Sequence, residues 1–235
     1  MKIICVDTDI HKYGAPEVKE IDLIQRPDRI FKDPLGNEHK TELWVNLGDN
    51  IEINNCLKKN LKKAQRLKKI YMDQVDINVP GNHDLDTFEP ERDYVKVESL
   101  MIAFEHGHLG TLWEYLKGYT YVKDNKPGCG FLKYAFAKAL HFARKKHPYK
   151  LEKHTLRRIT QNLTKDMDVL ILGHAHPENI IEEIVFNHPE NITEEIVFNG
   201  TKFVKIYILP QGRHYFRIMG DDIEYAGNEG KGELV

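Results

Sequence analysis

The feature that most constrains the fold is a recurring unit in which a short aliphatic or β-branched run ends in a cluster of polar residues. Such runs predict β-strands, and we predict them at Lys2–Asp7, Glu42–Leu47, Asp76–Val79, Val97–Phe104 and Met167–Leu172. Most are followed by Gly, His or Asp. Loops at the carboxyl edge of an open α/β sheet converge on a crevice where ligands bind. We therefore expect the chemistry of this chain at that edge.

A helix is predicted between the second and third strands. Its apolar residues keep helical spacing, at Leu57, Leu61, Ala64, Leu67 and Tyr71. Lysines occupy the remaining faces, at Lys58, Lys59, Lys62, Lys63, Lys68 and Lys69. A run of like charges is usually a solvated face, so we prefer solvated surface to nucleic-acid binding for this helix.

Composition points to one globular domain over residues 1–235, because 41% hydrophobic and 30% charged residues are ordinary for a soluble enzyme. No apolar run approaches the roughly 18 residues that a membrane span needs, and the N-terminus lacks a signal-peptide layout. We therefore expect a cytoplasmic protein. The three cysteines are widely spaced and form no C-x-x-C pair, which favours buried thiols over disulfides or a thiolate zinc site.

Residues 109–166 differ from the rest of the chain in charge. This segment has 13 Lys and Arg against 4 Asp and Glu, whereas the remainder has 21 against 32. It begins with several aromatic residues and continues with a predicted amphipathic helix from Phe131 to about Lys146 and a second from Leu151 to Leu163. We interpret it as a helical insertion, or cap, whose positive charge favours an anionic partner. After Met167 the chain stays β to its end, with Asn199-Gly200 as a candidate hairpin turn.

Five short motifs with metal-ligand side chains occur in order along the chain. They are Asp9-Ile10-His11, Gly48-Asp49-Asn50-Ile51-Glu52, Gly81-Asn82-His83-Asp84, His106-Gly107-His108 and Gly173-His174-Ala175-His176. Each motif alone is weak evidence, because short His and Asp motifs also occur in ordinary turns. Their number, order and placement after predicted strands together favour a metal centre.

This ordered set resembles the signature of the calcineurin-like metallophosphoesterases. The resemblance implies a four-layer αββα sandwich of two mixed sheets, here with the helical insertion and a β-rich C-terminal region. It implies one metal ion on Asp9, His11 and His176, a second on Asn82, His106 and His174, and Asp49 as the bridging ligand. It also implies hydrolysis of a phosphomonoester or phosphodiester by a hydroxide that bridges the two ions.

Mixed imidazole and carboxylate ligands favour transition metals over Ca²⁺ or Mg²⁺. We expect two divalent ions, with Mn²⁺ first and Fe, Zn, Co or Ni as alternatives. By the resemblance, His83 lies over the leaving group as general acid, and Glu52 or Asp84 holds its charged form by a hydrogen bond. His108 is interpreted equally well as a substrate contact or as a structural histidine.

Three alternatives stay open. The insertion resembles that of the UDP-diacylglucosamine pyrophosphatases, but His83 and His108 stand where those lipid enzymes typically carry Arg and Asp. A scaffold that keeps the fold without catalysis is less favoured, since every expected ligand is present. The basic, aromatic insertion is also compatible with a nucleic-acid or lipid phosphate partner, although its densest run, residues 144–147, falls at a predicted helix C-terminus where cations are favoured anyway.

A tandem duplication follows the last motif. Residues 176–187 recur as 188–199 with a single difference, Ile181 against Thr193. Two copies with a period of twelve are too few and too short for a solenoid. Because His188 lacks the preceding Gly-His-x, we expect His176 to be the ligand, and we expect the two copies to pair antiparallel at a sheet edge.

Overall fold

A computed structural model describes residues 1–14, 17–53, 56–81, 92–107, 130–132, 135, 167–174, 181–187 and 202–229, with the backbone alone at 181–187, 202 and 203. Its strands are β1 (Lys2–Thr8), β2 (Phe31–Lys32), β3 (Glu38–His39), β4 (Thr41–Asn46), β5 (Ile77–Asn78), β6 (Arg92–Val97), β7 (Leu100–Glu105), β8 (Val169–Leu172), β9 (Ile181–Asn187), β10 (Lys202–Ile208), β11 (Gly212–Met219) and β12 (Asp222–Glu229). A 3-10 turn, Lys58–Asn60, leads into helix α1, Leu61–Met72.

Two five-stranded mixed sheets form the described part of the chain. The first has the order β12-β11-β1-β4-β5. β1, β4 and β5 are parallel to one another, and β11 is antiparallel to both of its neighbours, β1 and β12. The second has the order β6-β7-β8-β10-β9, with a parallel centre of β7, β8 and β10. The prediction of two mixed sheets is confirmed. β2 and β3 pair as a separate small hairpin.

The side chains of β1 alternate between two buried clusters. Ile4 and Val6 share a cluster with Ile102 and Phe104 of β7, so the two sheets contribute to one core. Ile3 and Cys5 face the other way and share a cluster with the buried side of α1. Strands buried on both faces read as continuous apolar runs, which is the pattern of β1 and β8. Helices on both outer faces, the four-layer arrangement, stay a prediction.

The predicted helix is confirmed. Ala64, Leu67 and Tyr71, three of the five residues with helical spacing, are its buried residues. α1 connects the parallel strands β4 and β5, as a crossover helix must. Phe131, Leu132 and Ala135 are helical too, as expected for the first predicted helix of the insertion. The rest of 109–166 lies outside the described residues.

One predicted strand is wrong. Val97–Phe104 was expected as a single strand, but the chain turns at Glu98-Ser99 and splits it into β6 and β7, which pair as a hairpin. Glu98 adopts a left-handed φ of 54° without being a glycine. Asn, Asp and Gly are the usual residues of two-residue hairpin turns, so Glu-Ser carried no turn signal.

The described residues after Met167 are mainly in β-strands, as predicted. β9 covers residues 181–187 of the first repeat copy, and it pairs antiparallel with β10 at an edge of the second sheet. Residues 188–199, including the second copy and Asn199, lie outside the described residues, so the pairing of the two copies stays a prediction.

Cys5 and Cys56 are both buried. Cys129 lies outside the described residues. No helix in the described ranges is long and apolar enough to cross a membrane.

A buried ion pair joins the two ends of the chain within the first sheet. Arg213 donates from Nε to Asp7 Oδ1 at 2.7 Å and from Nη2 to Asp7 Oδ2 at 3.0 Å. Trp44 Nε1 and the Tyr71 hydroxyl also donate to Asp7 Oδ2, at 2.8 and 3.1 Å. The Asp7 carboxylate is fully buried and Arg213 is 4% exposed. The pair therefore ties β1 to β11, β4 and α1.

We expect Arg213→Gln to lower the free energy of unfolding by about 3–5 kcal/mol, because it leaves the Asp7 carboxylate buried without its cation. Adding Asp7→Asn should restore part of that loss, since the uncompensated charge is removed. Urea denaturation of the single and double variants measures both effects. Arg217→Gln, which breaks a partly exposed pair with Glu224 at 3.9 Å, is the control and should change the stability by less than about 1 kcal/mol. Additive losses in the double variant would contradict the role given to the pair.

Candidate metal centre

The loops that follow β1 and β4 are held in parallel register beyond the strands themselves. Asp9 N donates to Gly48 O at 3.1 Å, His11 N to Asp49 O at 3.0 Å, and Lys12 N to Asn50 O at 2.9 Å. This pairing places Asp9 and Asp49 side by side at the carboxyl edge of the sheet. The loops after β7 and β8 bring His106 and His174 to the same place. The structure thus brings these four predicted metal ligands together at the carboxyl edge.

The backbone of this region has unusual conformations. Asp9, His11, Asp49 and His174 all have positive φ, between 50° and 62°. A non-glycine residue with positive φ is uncommon, although Asp and His tolerate the left-handed region better than most. Such strain persists where the surroundings enforce it, often at functional sites. Four of the six non-glycine residues with positive φ in the described chain are predicted metal ligands.

Two glycines are required by close approach of the loops. A Cβ on Gly81 would lie 2.2 Å from Asp49 Oδ1, and a Cβ on Gly48 would lie 2.4 Å from Gly81 N and 2.8 Å from His106 Nδ1. No side chain fits at such distances. The absence of a Cβ on Gly81 therefore allows the loop that follows β5 to pass directly over the Asp49 carboxylate.

Four side chains form a compact group of donors. Asp9, Asp49, His106 and His174 each offer one ligand atom, and these atoms all lie within 4.8 Å of one another. His106 Nε2 lies 3.2 Å from Asp49 Oδ2, 3.9 Å from Asp9 Oδ1 and 3.2 Å from His174 Nδ1. Asp9 and His106 are fully buried and Asp49 is 2% exposed. Two imidazoles and two carboxylates at these distances suit a transition-metal ion.

The environment of His106 favours a cation. Its Nδ1 lies 2.6 Å from the carbonyl oxygen of Leu47, so Nδ1 carries the proton and donates, and Nε2 faces the carboxylates. Burial opposes a charge on the imidazole, but the nearby Asp49 and Asp9 carboxylates outweigh it and raise the pKa of His106 to about 9. The negative field that attracts a proton to Nε2 equally attracts a divalent ion.

Asp9 is oriented by groups that the sequence did not identify. Its Oδ2 accepts from Thr8 Oγ1 and from His174 N, both at 2.7 Å. Its carbonyl oxygen accepts from Gln211 Nε2 at 3.0 Å. Gln211 is about two hundred residues away in sequence and lies in no motif, so only the fold shows its role. These contacts leave Oδ1 directed at His106 and His11, as in other metal sites where neighbouring hydrogen bonds orient a ligand.

His11 extends the group on the side of Asp9. His11 Nε2 lies 3.9 Å from Asp9 Oδ1, and His11 Nδ1 lies 3.6 Å from Glu52 Oε2. Glu52 is 2% exposed, so its carboxylate is a buried neighbour of the imidazole. The sequence assigned Glu52 to His83, and the structure gives it His11 as a neighbour. A carboxylate behind a metal-binding histidine typically fixes the ring and leaves the opposite nitrogen for the metal.

Several predicted site residues lie outside the described residues. They are the metal ligands Asn82 and His176, the acid His83, its partner Asp84, and His108. Two of the described ranges end beside these residues, one at Gly81, which lies next to Asp49, and the other at His174. The structure therefore brings together Asp9, His11, Asp49, Glu52, His106 and His174, and the assignments of the other residues stay predictions.

No protein-family model matches the chain, and no curated protein matches it either. The structure is similar to a conserved uncharacterised protein from Streptococcus pneumoniae described as a predicted phosphoesterase, with 15% identity, a TM-score of 0.40 and coverage of 99% of this chain and 94% of that one. It is also similar to Vps29 from Entamoeba histolytica solved with Zn²⁺ (14% identity, TM-score 0.39, 94% and 88% coverage). A third match is Vps29 from Chaetomium thermophilum (14%, 0.38, 93% and 82%). Sequence identities and TM-scores this low carry no argument about the function of this chain.

We expect Gly81→Ala to weaken metal binding by about 10- to 100-fold, the range found when groups around metal ligands are changed, because the new methyl group collides with the Asp49 carboxylate. Calorimetric titration with Mn²⁺ or Zn²⁺ measures the affinity. Gly130→Ala is the matched control, since a Cβ there meets nothing within 4 Å. Equal affinities for the two variants would show that Asp49 is no part of a metal site.

Proposed function

We propose that this protein is a metal-dependent phosphoesterase of the calcineurin-like metallophosphoesterase superfamily, hydrolysing a phosphomonoester or phosphodiester. The observation that carries the proposal is the buried group of Asp9, Asp49, His106 and His174, whose ligand atoms lie within 4.8 Å of one another. A single domain over residues 1–235, with four αββα layers and a cap at 109–166, belongs to the same proposal.

The donors that are described fit a divalent transition metal. Asp9 Oδ1, Asp49 Oδ2 and His106 Nε2 converge, and the Nδ1 of His106 is already engaged by Leu47. His11 and Glu52 extend the donor set beyond Asp9. We propose two ions, one on Asp9, His11 and His176 and the other on Asn82, His106 and His174, with Asp49 shared. Mn²⁺ is the proposed metal, and Fe, Zn, Co and Ni suit the same ligands.

The chemistry follows from the charge of the substrate. A phosphoester is anionic and repels an attacking hydroxide; two bound divalent ions would neutralise its oxygens and lower the pKa of the attacking water. The protein contributes orientation. Asp9 accepts hydrogen bonds from Thr8, the His174 amide and Gln211. The carbonyl oxygen of Leu47 orients His106. The loops at Gly48 and Gly81 lie close to Asp49. Ligands held this firmly need little rearrangement when substrate binds.

His83 is proposed as the general acid that protonates the departing alkoxide. It follows Gly81 by two residues in sequence, and the contact of Gly81 with Asp49 supports a place for His83 near the metal centre. Asp84 is its proposed hydrogen-bond partner. Glu52, also predicted for that role, has His11 as its observed neighbour, and we propose that it orients His11 instead.

A scaffold without catalysis is the rival from a different class. The enclosed carboxylates argue against it, because buried charges are costly unless a cation or hydrogen bonds compensate them, and a binding scaffold has no need of them. No contact among the described residues favours the lipid pyrophosphatase.

Asp49→Ala should lose bound metal and reduce turnover by more than about 100-fold, the upper end for groups that only orient a ligand. Metal content and the hydrolysis of an aryl phosphodiester with added Mn²⁺ are the measurements. Asp222→Ala removes an exposed carboxylate of β12 and should change neither. Full metal content with wild-type turnover in Asp49→Ala would overturn the proposed function.

His83→Ala should keep its metal and slow substrates with poor leaving groups by about 100- to 10,000-fold, the usual range for general acid catalysis. Substrates with good leaving groups should be affected much less, because their alkoxides need no proton. A series of aryl and alkyl phosphodiesters of rising leaving-group pKa tests this. A uniform loss across the series would assign His83 to another role.

A further inference from the structure

The exposed face of α1 and the turn before it is strongly basic. Six side chains on this face are exposed cations: Lys58, Lys59, Lys62, Lys63, Arg66 and Lys69. The segment from residue 57 to 72 contains no Asp or Glu. Within the part of the chain that the structure describes, no ion pair involves any of the six. The carboxylates of the described residues therefore leave this positive charge without a partner in an ion pair.

The charges form one stripe. At about 100° per residue, the four exposed cations of α1 itself fall within an arc of about 120°, and the buried residues Ala64, Leu67 and Tyr71 fall within about 60° on the other side. α1 is 12 residues long, which corresponds to about 18 Å. One strand of a nucleic-acid duplex carries about five phosphates over that length. The stripe matches a phosphate backbone in both length and number of charges.

Positive charge is denser in this segment than in the basic insertion, which has 13 Lys and Arg over residues 109–166. Seven of the 34 Lys and Arg residues lie between residues 57 and 72, and the other 27 face 36 Asp and Glu residues. Outside this segment the chain thus has a formal charge of −9. The sequence alone favoured a solvated face for this helix. Surface lysines that serve solubility are normally interspersed with acidic residues, however, so the continuous positive stripe that the structure shows favours binding of a polyanion.

A membrane surface fits the helix less well. Interfacial helices insert an apolar face between lipids while their basic face meets the headgroups. The apolar face of α1 is already used, because Ala64, Leu67 and Tyr71 pack against the first sheet.

The exposed face of α1 carries no aromatic residue on which a base could stack. A nucleic acid bound there would therefore be contacted at its phosphates and not at its bases.

The position of the stripe relates it to the metal centre. β4 and β5 are parallel, so the connection between them leaves the carboxyl edge of the sheet and returns at the amino edge. The start of this connection, with Lys58, Lys59, Lys62 and Lys63, is therefore on the side of Asp49. A strand bound along α1 extends toward the edge where the metal ligands converge.

We propose that this basic face binds the phosphate backbone of a nucleic acid, independently of sequence, and guides a phosphodiester strand to the metal centre. The guiding step rests on the proposed function, whereas binding does not.

The experiment compares the full-length protein with the triple variant Lys62→Glu, Lys63→Glu, Arg66→Glu. The control carries the same change in charge at the exposed residues Lys32, Lys40 and Lys96, each replaced by Glu. Affinity for fluorescent single-stranded and duplex oligonucleotides of unrelated sequence is measured at several salt concentrations. Turnover is measured on an oligonucleotide and on a small aryl phosphodiester, and binding to phosphatidylserine vesicles is measured in parallel.

The triple variant should bind oligonucleotides at least about tenfold more weakly, with the slope of log affinity against log salt reduced by about three. The control should bind like wild type. kcat/KM should fall for the oligonucleotide and stay unchanged for the small ester.

Three outcomes would overturn the inference: equal losses in the triple variant and the control, no oligonucleotide binding by the wild type, or a loss confined to vesicles. If the wild type hydrolyses neither substrate while the binding difference is seen, the proposed function fails and the binding surface stands.

Discussion

The pairing of the β1 and β4 loops is the constraint on which the rest of the site depends. Backbone hydrogen bonds from Asp9, His11 and Lys12 to the second loop continue the parallel ladder past the ends of the strands. This continuation sets two carboxylates next to each other in a buried place, which is unfavourable unless positive charge is supplied. The imidazoles of His106 and His174 line the same place, and the loop at Gly81 closes over it. The register of β1 and β4 therefore determines where the site lies, and the residues that follow these strands supply its side chains.

Behind this site lies a second buried charge, which has a different task. Asp7 is only two residues before Asp9, and its carboxylate accepts hydrogen bonds from Arg213, Trp44 and Tyr71. The Asp7 carboxylate has protein groups as its hydrogen-bond donors and links four elements, β1, β11, β4 and α1. The Asp9 carboxylate lies near His106 and His11 instead. Strand alternation alone would place Asp7 and Asp9 on the same face, but β1 ends at Thr8 and Asp9 has a φ of 53°, so the two side chains reach different surroundings.

Much of this arrangement could be predicted from the sequence, because its signals are local. Aliphatic runs located four of the five predicted strands, and the spacing of Ala64, Leu67 and Tyr71 located the helix and its buried face. The motifs identified six residues that the structure brings together. The hairpin at Glu98-Ser99 was missed because its left-handed turn is enforced by strand pairing and not by a turn residue. Gln211 and Arg213 were missed because their contacts join residues about two hundred positions apart, and no local pattern records such a distance.

The edge position of β9 bears on the history of the chain. β9 contains the end of the first repeat copy and, in the described sheet, pairs with β10 alone. The paired residues are 181–187 of β9 and 202–208 of β10, so residues 188–199 fall between the two strands in sequence and interrupt no described pair. A duplication of this kind can therefore arise in one replication error and persist without compensating substitutions. The two near-identical copies begin only two residues after His174, so the repeated sequence directly follows a predicted metal ligand.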